Sequence, residues 1–508
     1  MTCYTLFPTE STLRPLRDRQ ESAIESLRQA IREGHKRIVL QSPTGFGKTH
    51  VAAHIISYAV EKGKRPLFTV PTITLVNQTL QYFEREGIKS IGVIQADHER
   101  TDWCAQVQIA SVQTLIRRAM PMVDFVIVDE VHMNWAKFNE RLDSPEWRDK
   151  VVIGLSATPW TKGMGLRWTN LIIASTIQEL IDEGFLSPFI VYAPADEYEA
   201  DLSSVKVVKG EFEEAGLAVA MDKPQLVADV VRTWQERGNN QPTFLFAVNL
   251  AHAKSLRDEF EAAGVSCGYI DAFSTDDQRR ETFERFRDGR DKIIASVGCL
   301  TTGVDEDVRV IIDAAPTRSE IRMVQKIGRG LRMADGKDRL TILDHAGNTL
   351  RLGLVTDIYH DHLDTHKKSD KGDPYKDDKK AAKPRKCHKC HAVIPNGQKS
   401  CPVCGERVVV VSGVQSVDGE LIEFGSGAKP KKIVATMAEK QQWYSGMLAL
   451  VREQGKNEGM AAHRYREKFG VWPNQLQKVP GAISLEVRNF DKHMKIRYIK
   501  GKQKGASK

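Results

Sequence analysis

The stretch RIVLQSPTGFGKTH, residues 37–50, decides how the rest of the chain is read. RIVLQ is a near-continuous apolar run of strand length, and HVAAHIISYAVEKG (50–63) carries apolar residues at helical spacing. Between them a glycine-rich loop ends in Gly47, Lys48 and Thr49. A strand that feeds a helix through such a loop is the setting of a phosphate-binding P-loop. Backbone N–H groups around Gly45 and Gly47 can cradle phosphate oxygens at the positive helix end. Lys48 then neutralises the β- and γ-phosphates of a nucleotide, and Thr49 ligates Mg2+. Ser42 stands where the general pattern has its first glycine.

Outward from the loop, short β-rich runs alternate with amphipathic stretches. Strands are expected at 37–41, 66–70, 106–111, 124–130 and 151–158. A second series follows at 243–248, 266–270, 292–297, 308–314 and 340–345. Apolar strands separated by helices predict parallel, doubly wound α/β sheets, here two lobes that meet near residues 184–194. In FVIVDEVH (125–132), four apolar residues deliver Asp129 and Glu130 to the carboxyl end of a strand, where ligands of such sheets bind. Asp129 is expected to hold Mg2+, and Glu130 to orient or deprotonate the attacking water.

Composition bounds the class. The 508 residues suit about three domains, and 41% hydrophobic with 28% charged residues is globular. No apolar run approaches the roughly 20 residues that cross a bilayer, and no signal peptide opens the sequence, so a cytoplasmic protein is expected. The net charge of +8 is uneven: from Asp364 onward there are 30 Lys+Arg against 15 Asp+Glu. A basic tail on a mildly acidic body points to an anionic polymer or to a solubilising tail. Residues 364–386 read as a charged, disordered linker. The cysteines change there too. CHKCHAVIPNGQKSCPVCG (387–405) holds two C-x-x-C pairs, and Cys387, Cys390, Cys401 and Cys404 predict a tetrahedral Zn2+ ribbon. His388 and His391 are left out, because four thiolates fill the shell. A β-prone stretch (408–424), a Gly/Lys/Pro-rich break (425–432), a helical region from about Ala435 to Phe469 and a loose basic end complete the chain.

With DEVH followed by SAT (156–158), the chain resembles the DEAD/DEAH-box signature of superfamily 2 helicases. In that superfamily the loop is typically Ala/Ser-x-Thr-Gly-x-Gly-Lys-Thr, so Ser42 and Thr44 fit. The resemblance covers roughly residues 14–348 and implies two RecA-like lobes, residues 1–188 and 189–363. A zinc ribbon (387–407) and a small, basic, largely helical region (408–508) follow. LRDRQESAI (16–24) looks like the adenine-reading segment, with Gln20 as base contact and Arg19 where an aromatic often sits. PTITLVNQ (71–78) and IASVQTL (109–115) resemble the strand-binding motifs, whose Thr72, Ser111 and Gln113 are expected to face a phosphate backbone. SVGCLTTGVD (296–305) resembles the segment that links ATP to nucleic acid, through Thr301, Thr302, Gly303 and Asp305. QKIGRGLR (325–332) matches the arginine-finger motif, with Gln325, Arg329 and Arg332. His132, Ser156 and Thr158 are the implied coupling residues.

GKDRLTILDHAGN (336–348), followed by a charged linker and a ribbon, resembles bacterial RadD-type DNA-repair helicases and phage relatives. That implies DNA as the partner, in repair, recombination or replication. The rival expectations are an RNA helicase, the motor subunit of a restriction-type complex, and an ATP-switched recruitment protein docking through the ribbon or tail. In MAAHRYREKFGVWP (460–473), Ala461, Tyr465 and Phe469 form an apolar stripe ringed by Arg464, Arg466 and Lys468. Tyr465 and Phe469 are expected to pack on the neighbouring helix at 437–455, and the basic residues either to touch nucleic acid or a partner or to be solvated.

Overall fold

The computed structural model describes residues 13–95, 98–195, 199–300, 304–367, 384–407 and 436–505. Chain contacts divide it into two units, 1–410 and 411–508. The first sheet is built from β1 (Arg37–Gln41), β2 (Pro66–Val70), β3 (Ile91–Ile94), β4 (Val107–Ser111), β5 (Phe125–Val128), β6 (Val151–Ser156) and β7 (Asn170–Ile173). Their order is β3-β4-β2-β5-β6-β1-β7, and every pairing is parallel. Every residue of β1, β2 and β4 is buried, which is why they read as apolar runs without alternation. The sequence pattern did not reveal β3 or β7. β3 is four residues long and contains Gly92, where a Cβ would lie 2.0 Å from Asp102 O.

β8 (Phe189–Tyr192), also not expected, opens the second sheet. A hairpin of β9 (Val207–Val208) and β10 (Glu211–Phe212) precedes β11 (Thr243–Phe246), β12 (Cys267–Ile270), β13 (Ile293–Ser296), β14 (Val310–Asp313) and β15 (Leu340–Leu343). The order is β12-β13-β11-β14-β15-β8, again all parallel. In both sheets the carboxyl ends of the strands therefore point one way, and the loops that leave them gather on one rim.

The linker expectation is corrected at both ends. Asp364 is buried: its carboxylate accepts from Gly163 N at 2.8 Å and its carbonyl from Gly165 N at 2.7 Å. Arg385–Lys386 form β16, antiparallel to β17 (Val393–Ile394) of the ribbon. A charged composition signals solvation only where no backbone donors wait for the residue, and the loop around Gly163 supplies two, one to the Asp364 carboxylate and one to its carbonyl. Residues 368–383, and the stretches 408–424 and 425–432, lie outside the described residues.

The second unit holds helices Met437–Glu453, Gly459–Phe469 and Leu485–Gly505. Thr436 and Glu439 form a reciprocal capping box at the first of these. Trp443, Tyr444, Met447, Tyr465 and Val487 form the core, with Phe469 and Phe490 packed against it. The basic end was expected to be loose, and this too is corrected: the last helix runs to Gly505. Val487 and Phe490 seat its first turns in the core, and Asp491 pairs with Lys495 one turn on at 2.7 Å.

Candidate functional site

β1 ends at Gln41, and Ser42 N donates to Ser156 O at 2.9 Å, so the loop leaves the centre of the first sheet. Gly45 (φ +85°) and Gly47 (φ +92°) lie in the left-handed region. A Cβ on Gly47 would lie 2.7 Å from Gln20 Nε2, and one on Gly45 2.6 Å from Leu186 Cδ2. Gly47 begins the helix Lys48–Glu61 without a side-chain cap, which leaves the first backbone N–H groups for an anion. Ser42 is fully buried, and its hydroxyl has no partner among the described residues. Gln20 is buried against this loop: its Nε2 donates to Phe46 O at 2.6 Å and its Oε1 accepts from Arg17 N at 3.0 Å. In this geometry the Gln20 amide braces the loop.

β5 delivers Asp129, whose N–H donates to Thr69 O at 2.9 Å. Glu130 takes φ +49°, an unfavourable conformation for a side chain of its size. Its Oε1 faces Lys48 Nζ at 3.4 Å and its Oε2 faces His132 Nδ1 at 3.2 Å. His132 Nδ1 also meets Ser156 Oγ at 2.9 Å, and that oxygen accepts from Thr158 N at 3.0 Å. The other ring nitrogen, Nε2, lies 2.8 Å from Gln325 Nε2, on the second lobe. An amide N–H can only donate, so this contact is a hydrogen bond where Nε2 carries no proton. Burial pushes the Asp129 carboxyl up to about 6, and the neighbouring Glu130 charge adds to it. Burial also pushes Glu130 upward, but Lys48 and His132 outweigh it and hold the carboxyl below its ordinary range.

Arg329 lies on the helix Glu320–Gly330, whose N-terminus Ser319 caps. Its Nη1 donates to Val304 O at 3.1 Å. Burial, then the like charge of Arg332, pull Arg329 down to about 10, so it stays cationic at neutral pH. Arg332 donates to the same carbonyl at 2.8 Å and pairs with Asp305. Gly328 brings this helix against the loop: a Cβ there would lie 2.9 Å from Thr44 Oγ1. The result is a cleft of about 680 Å³ between the lobes. Gly45, Gly47, Lys48, Thr49, Asp129 and Glu130 line one side, and Asp305, Arg329 and Arg332 the other. A larger groove of about 950 Å³ beside Leu27, Ile31 and Tyr58 is also lined by charged side chains, among them Glu21, Glu25, Arg28, Glu61, Lys64 and Asp124, but holds neither the phosphate-binding loop nor residues of the second lobe.

Residues outside every motif also line the cleft, among them Tyr82, Arg85 and Arg287. Arg287 grips Glu306 through both Nε and Nη2 at 2.7–3.2 Å. It ends a helix so charged (DDQRRETFERFR) that the sequence reads as a solvated face. Of the expected strand contacts, Thr72 is half-buried and Gln113 exposed. Ser111 is a correction: it is fully buried, and its hydroxyl caps the next helix by accepting from Thr114 N at 3.1 Å. Thr301, Thr302 and Gly303 lie outside the described residues.

The four ribbon sulfurs lie within 4.8 Å of one another. Cys387–Cys404 and Cys390–Cys401 are separated by 3.7 and 3.6 Å. Zn–S bonds of about 2.3 Å at tetrahedral angles set edges near 3.8 Å, so the cluster fits Zn2+. Each knuckle closes the same way. His391 N returns to Cys387 O and Gly405 N to Cys401 O, both at 3.0 Å, with φ +60° and +72° at the returning residue. The ribbon is docked on the second sheet. Ala193 N donates to His391 O at 3.0 Å, Tyr192 and Ala392 form an antiparallel bridge, and Lys386 Nζ donates to Pro194 O at 2.8 Å. It thereby covers β8, an edge strand that would otherwise offer unpaired backbone groups.

Two family models match the chain: "Type III restriction enzyme, res subunit" over residues 14–161 and "Helicase conserved C-terminal domain" over 222–334. A 51.5 kDa protein of a Lactococcus phage is 28% identical over 72% of this chain and 77% of its own. The ATP-dependent helicase IRC3 of Saccharomyces cerevisiae is 29% identical over 67% of this chain, which spans 52% of the yeast protein's length. The type I restriction enzyme EcoAI endonuclease subunit of Escherichia coli is 24% identical over 64% of this chain and 45% of its own. A fragment of an HsdR subunit of a type I restriction enzyme from Vibrio vulnificus shares the fold, with TM-score 0.53 and 21% identity over 70% of this chain and 69% of the fragment. Among the described residues no helix is long and apolar enough to cross a membrane.

Proposed function

The chain belongs to the superfamily 2 helicases, and from that premise we propose that it couples ATP hydrolysis to movement along, or unwinding of, DNA. One observation carries the reading: the groups for hydrolysis are divided between two lobes, and the Glu130–His132–Gln325 contacts join them. Residues 1–188 and 189–363 serve as the two lobes of the motor. Lys48, with Ser42, Thr44, Gly45 and Gly47 shaping the loop, holds the phosphates. Thr49 and Asp129 would hold Mg2+, which when bound with ATP neutralises phosphate charge. Glu130 accepts a proton from water as its oxygen bonds to the γ-phosphorus and the bond to the bridging oxygen breaks, releasing ADP and phosphate. Arg329 and Arg332 offset the charge on the γ-phosphate oxygens, and Arg332 exchanges Asp305 for phosphate to do so. Closure completes the site and hydrolysis dissolves it, so two lobes that each grip a strand step along it.

His132, Ser156 and Thr158 transmit the state of Glu130, and Thr72, Gln113 and the 301–302 hydroxyls contact the strand. Cys387, Cys390, Cys401 and Cys404 bind Zn2+. DNA is supported by the restriction-enzyme relatives, and the phage and bacterial relatives support work in the bacterial cytosol. A role in repair, recombination or replication rests on the RadD-type likeness of residues 336–348 alone. The likeness to the EcoAI subunit favours a second reading, the motor of a restriction-type complex, in which cleavage comes from a partner. The test is Glu130→Gln: ATP turnover stimulated by DNA should fall by about 10²–10⁴-fold with ATP binding kept. Turnover stimulated by RNA and not by DNA would overturn the choice of strand.

A further inference from the structure

Among its described residues the second unit carries a cationic surface on which Trp472 is a large exposed ring, and its wiring separates charges held in ion pairs from one that is not. Residues 436–508 hold 15 Lys+Arg against 6 Asp+Glu. Three of those cations sit on the helix Gly459–Phe469 and do different things. Arg464 pairs with Asp491 at 3.5 Å and Lys468 with Glu486 at 2.8 Å, tying this helix to the one that begins at Leu485. Arg466 makes no ion pair among the described residues. Its guanidinium lies 4.8 Å from the centre of the Trp472 ring, and His463 meets the same indole edge-on at 5.0 Å.

Local geometry brings them together. Gly470 (φ +74°) ends the helix and donates its N–H to Arg466 O at 2.8 Å, which turns Val471 and Trp472 back along the helix surface. Among the described residues the core takes Trp443, Tyr444 and Tyr465, with Phe469 and Phe490 packed against it, whereas Trp472 is 41% exposed and Val471 53%. A large indole left in water beside an unpaired guanidinium does nothing for the core. It is the chemistry that receives an unstacked base and its phosphate. A protein hot spot would instead be surrounded by broader apolar surface; here Val471 adjoins the ring in sequence, but the side chains in contact with it are His463 and Arg466.

We propose that Trp472, with Arg466 and His463, is a stacking platform for a nucleic-acid strand with unpaired bases. It rests on the reading of the chain as a nucleic-acid motor, and adds to that motor a grip outside its lobes. The strand's bases lie against the indole while a phosphate meets Arg466 on the same face.

The test uses the full-length protein without nucleotide, and measures binding of labelled oligo-dT and of a blunt duplex of equal length at one salt concentration. Trp472→Ala should weaken oligo-dT binding by about fivefold or more, the scale of one base–aromatic stack. The duplex should lose less, and Trp472→Phe should recover most of the loss. Arg466→Ala should make the salt dependence shallower by about one counterion. Melting temperature and basal ATP turnover should stay at the wild-type values, which separates lost contact from lost fold. Wild-type affinity in Trp472→Ala, equal losses on oligo-dT and duplex, or no recovery with Phe would each overturn the platform. Failure of the motor reading shows elsewhere, as wild-type turnover that no nucleic acid stimulates.

Discussion

The inter-lobe cleft and the cysteine ribbon are both clusters of ionisable groups, yet they are assembled in opposite ways. The cleft draws on Lys48, Glu130, Asp305 and Arg329, far apart in sequence and on two lobes. Its internal contacts are ones a ligand can replace: Lys48 stands 3.4 Å from Glu130, and Arg332 is held by Asp305. The ribbon takes four thiols from one short segment, at spacings that match a metal tetrahedron, and fastens itself to β8 through backbone hydrogen bonds. One cluster is built to exchange partners and the other to keep them. On the proposed function, the cleft is then the moving part of the motor and the ribbon part of its frame.

The sharpest way to break this comparison is to remove one group from each side. Arg329→Ala should lower ATP turnover by about 10³-fold or more while the fold persists, because a finger acts on charge that develops in the transition state. Steady-state turnover and the thermal melt check this. A variant within tenfold of wild type would mean that Arg329 plays a structural part and is no finger. Cys401→Ser should do the reverse. Zinc content falls in metal analysis and the melt shifts downward, because β8 loses its cover, while basal turnover changes far less than in Arg329→Ala. A ribbon variant as inactive as the finger variant would place the ribbon inside the motor cycle.

The cleft was legible in the sequence wherever chemistry is local. Gly45, Gly47, Lys48 and Thr49 sit on one strand–loop–helix turn, and Asp129 and Glu130 end one apolar strand. The spacing of the cysteines likewise gave a tetrahedron. What failed depends on how the backbone turns locally or on groups distant in sequence. Ser111 looked like a strand contact, but whether a hydroxyl faces solvent or caps a helix is set by the next turn's backbone. Asp364 looked like the start of a solvated run because Gly163, whose N–H it accepts, lies 201 residues away. Among the described residues β7 pairs with β1 alone, and β8 pairs with β15 and touches the ribbon through Tyr192, so their signals as strands come from neighbours and not from their own periodicity. Nothing in the sequence marked His391 for the left-handed turn that Gly405 announces in the other knuckle.

Lys337 gives the smallest effect and the finest distinction. It is buried, and its ammonium donates to Val308 O and Arg332 O, both at 2.7 Å, and to Gly330 O. Two of those carbonyls end the helix and turn that carry Arg329 and Arg332, so the lysine fixes the fingers without touching the nucleotide. Burial pulls it down to about 8. Between pH 8 and its unfolded value near 10.4 the unfolded chain binds the extra proton, so this group's contribution to stability rises with pH across that window. It is least favourable below pH 8, where the folded protein must bury the charge. Lys337→Met removes the titration but leaves three carbonyls without a donor, at a cost of about 1–3 kcal/mol for a group left unsatisfied. Thermal melts from pH 7 to 10 should show wild type gaining on the variant as pH rises, with parallel curves counting against the assignment. Turnover should fall by roughly tenfold or less, because displaced fingers still carry their charge. A loss as deep as that of Arg329→Ala would move Lys337 from the frame of the cleft into its chemistry.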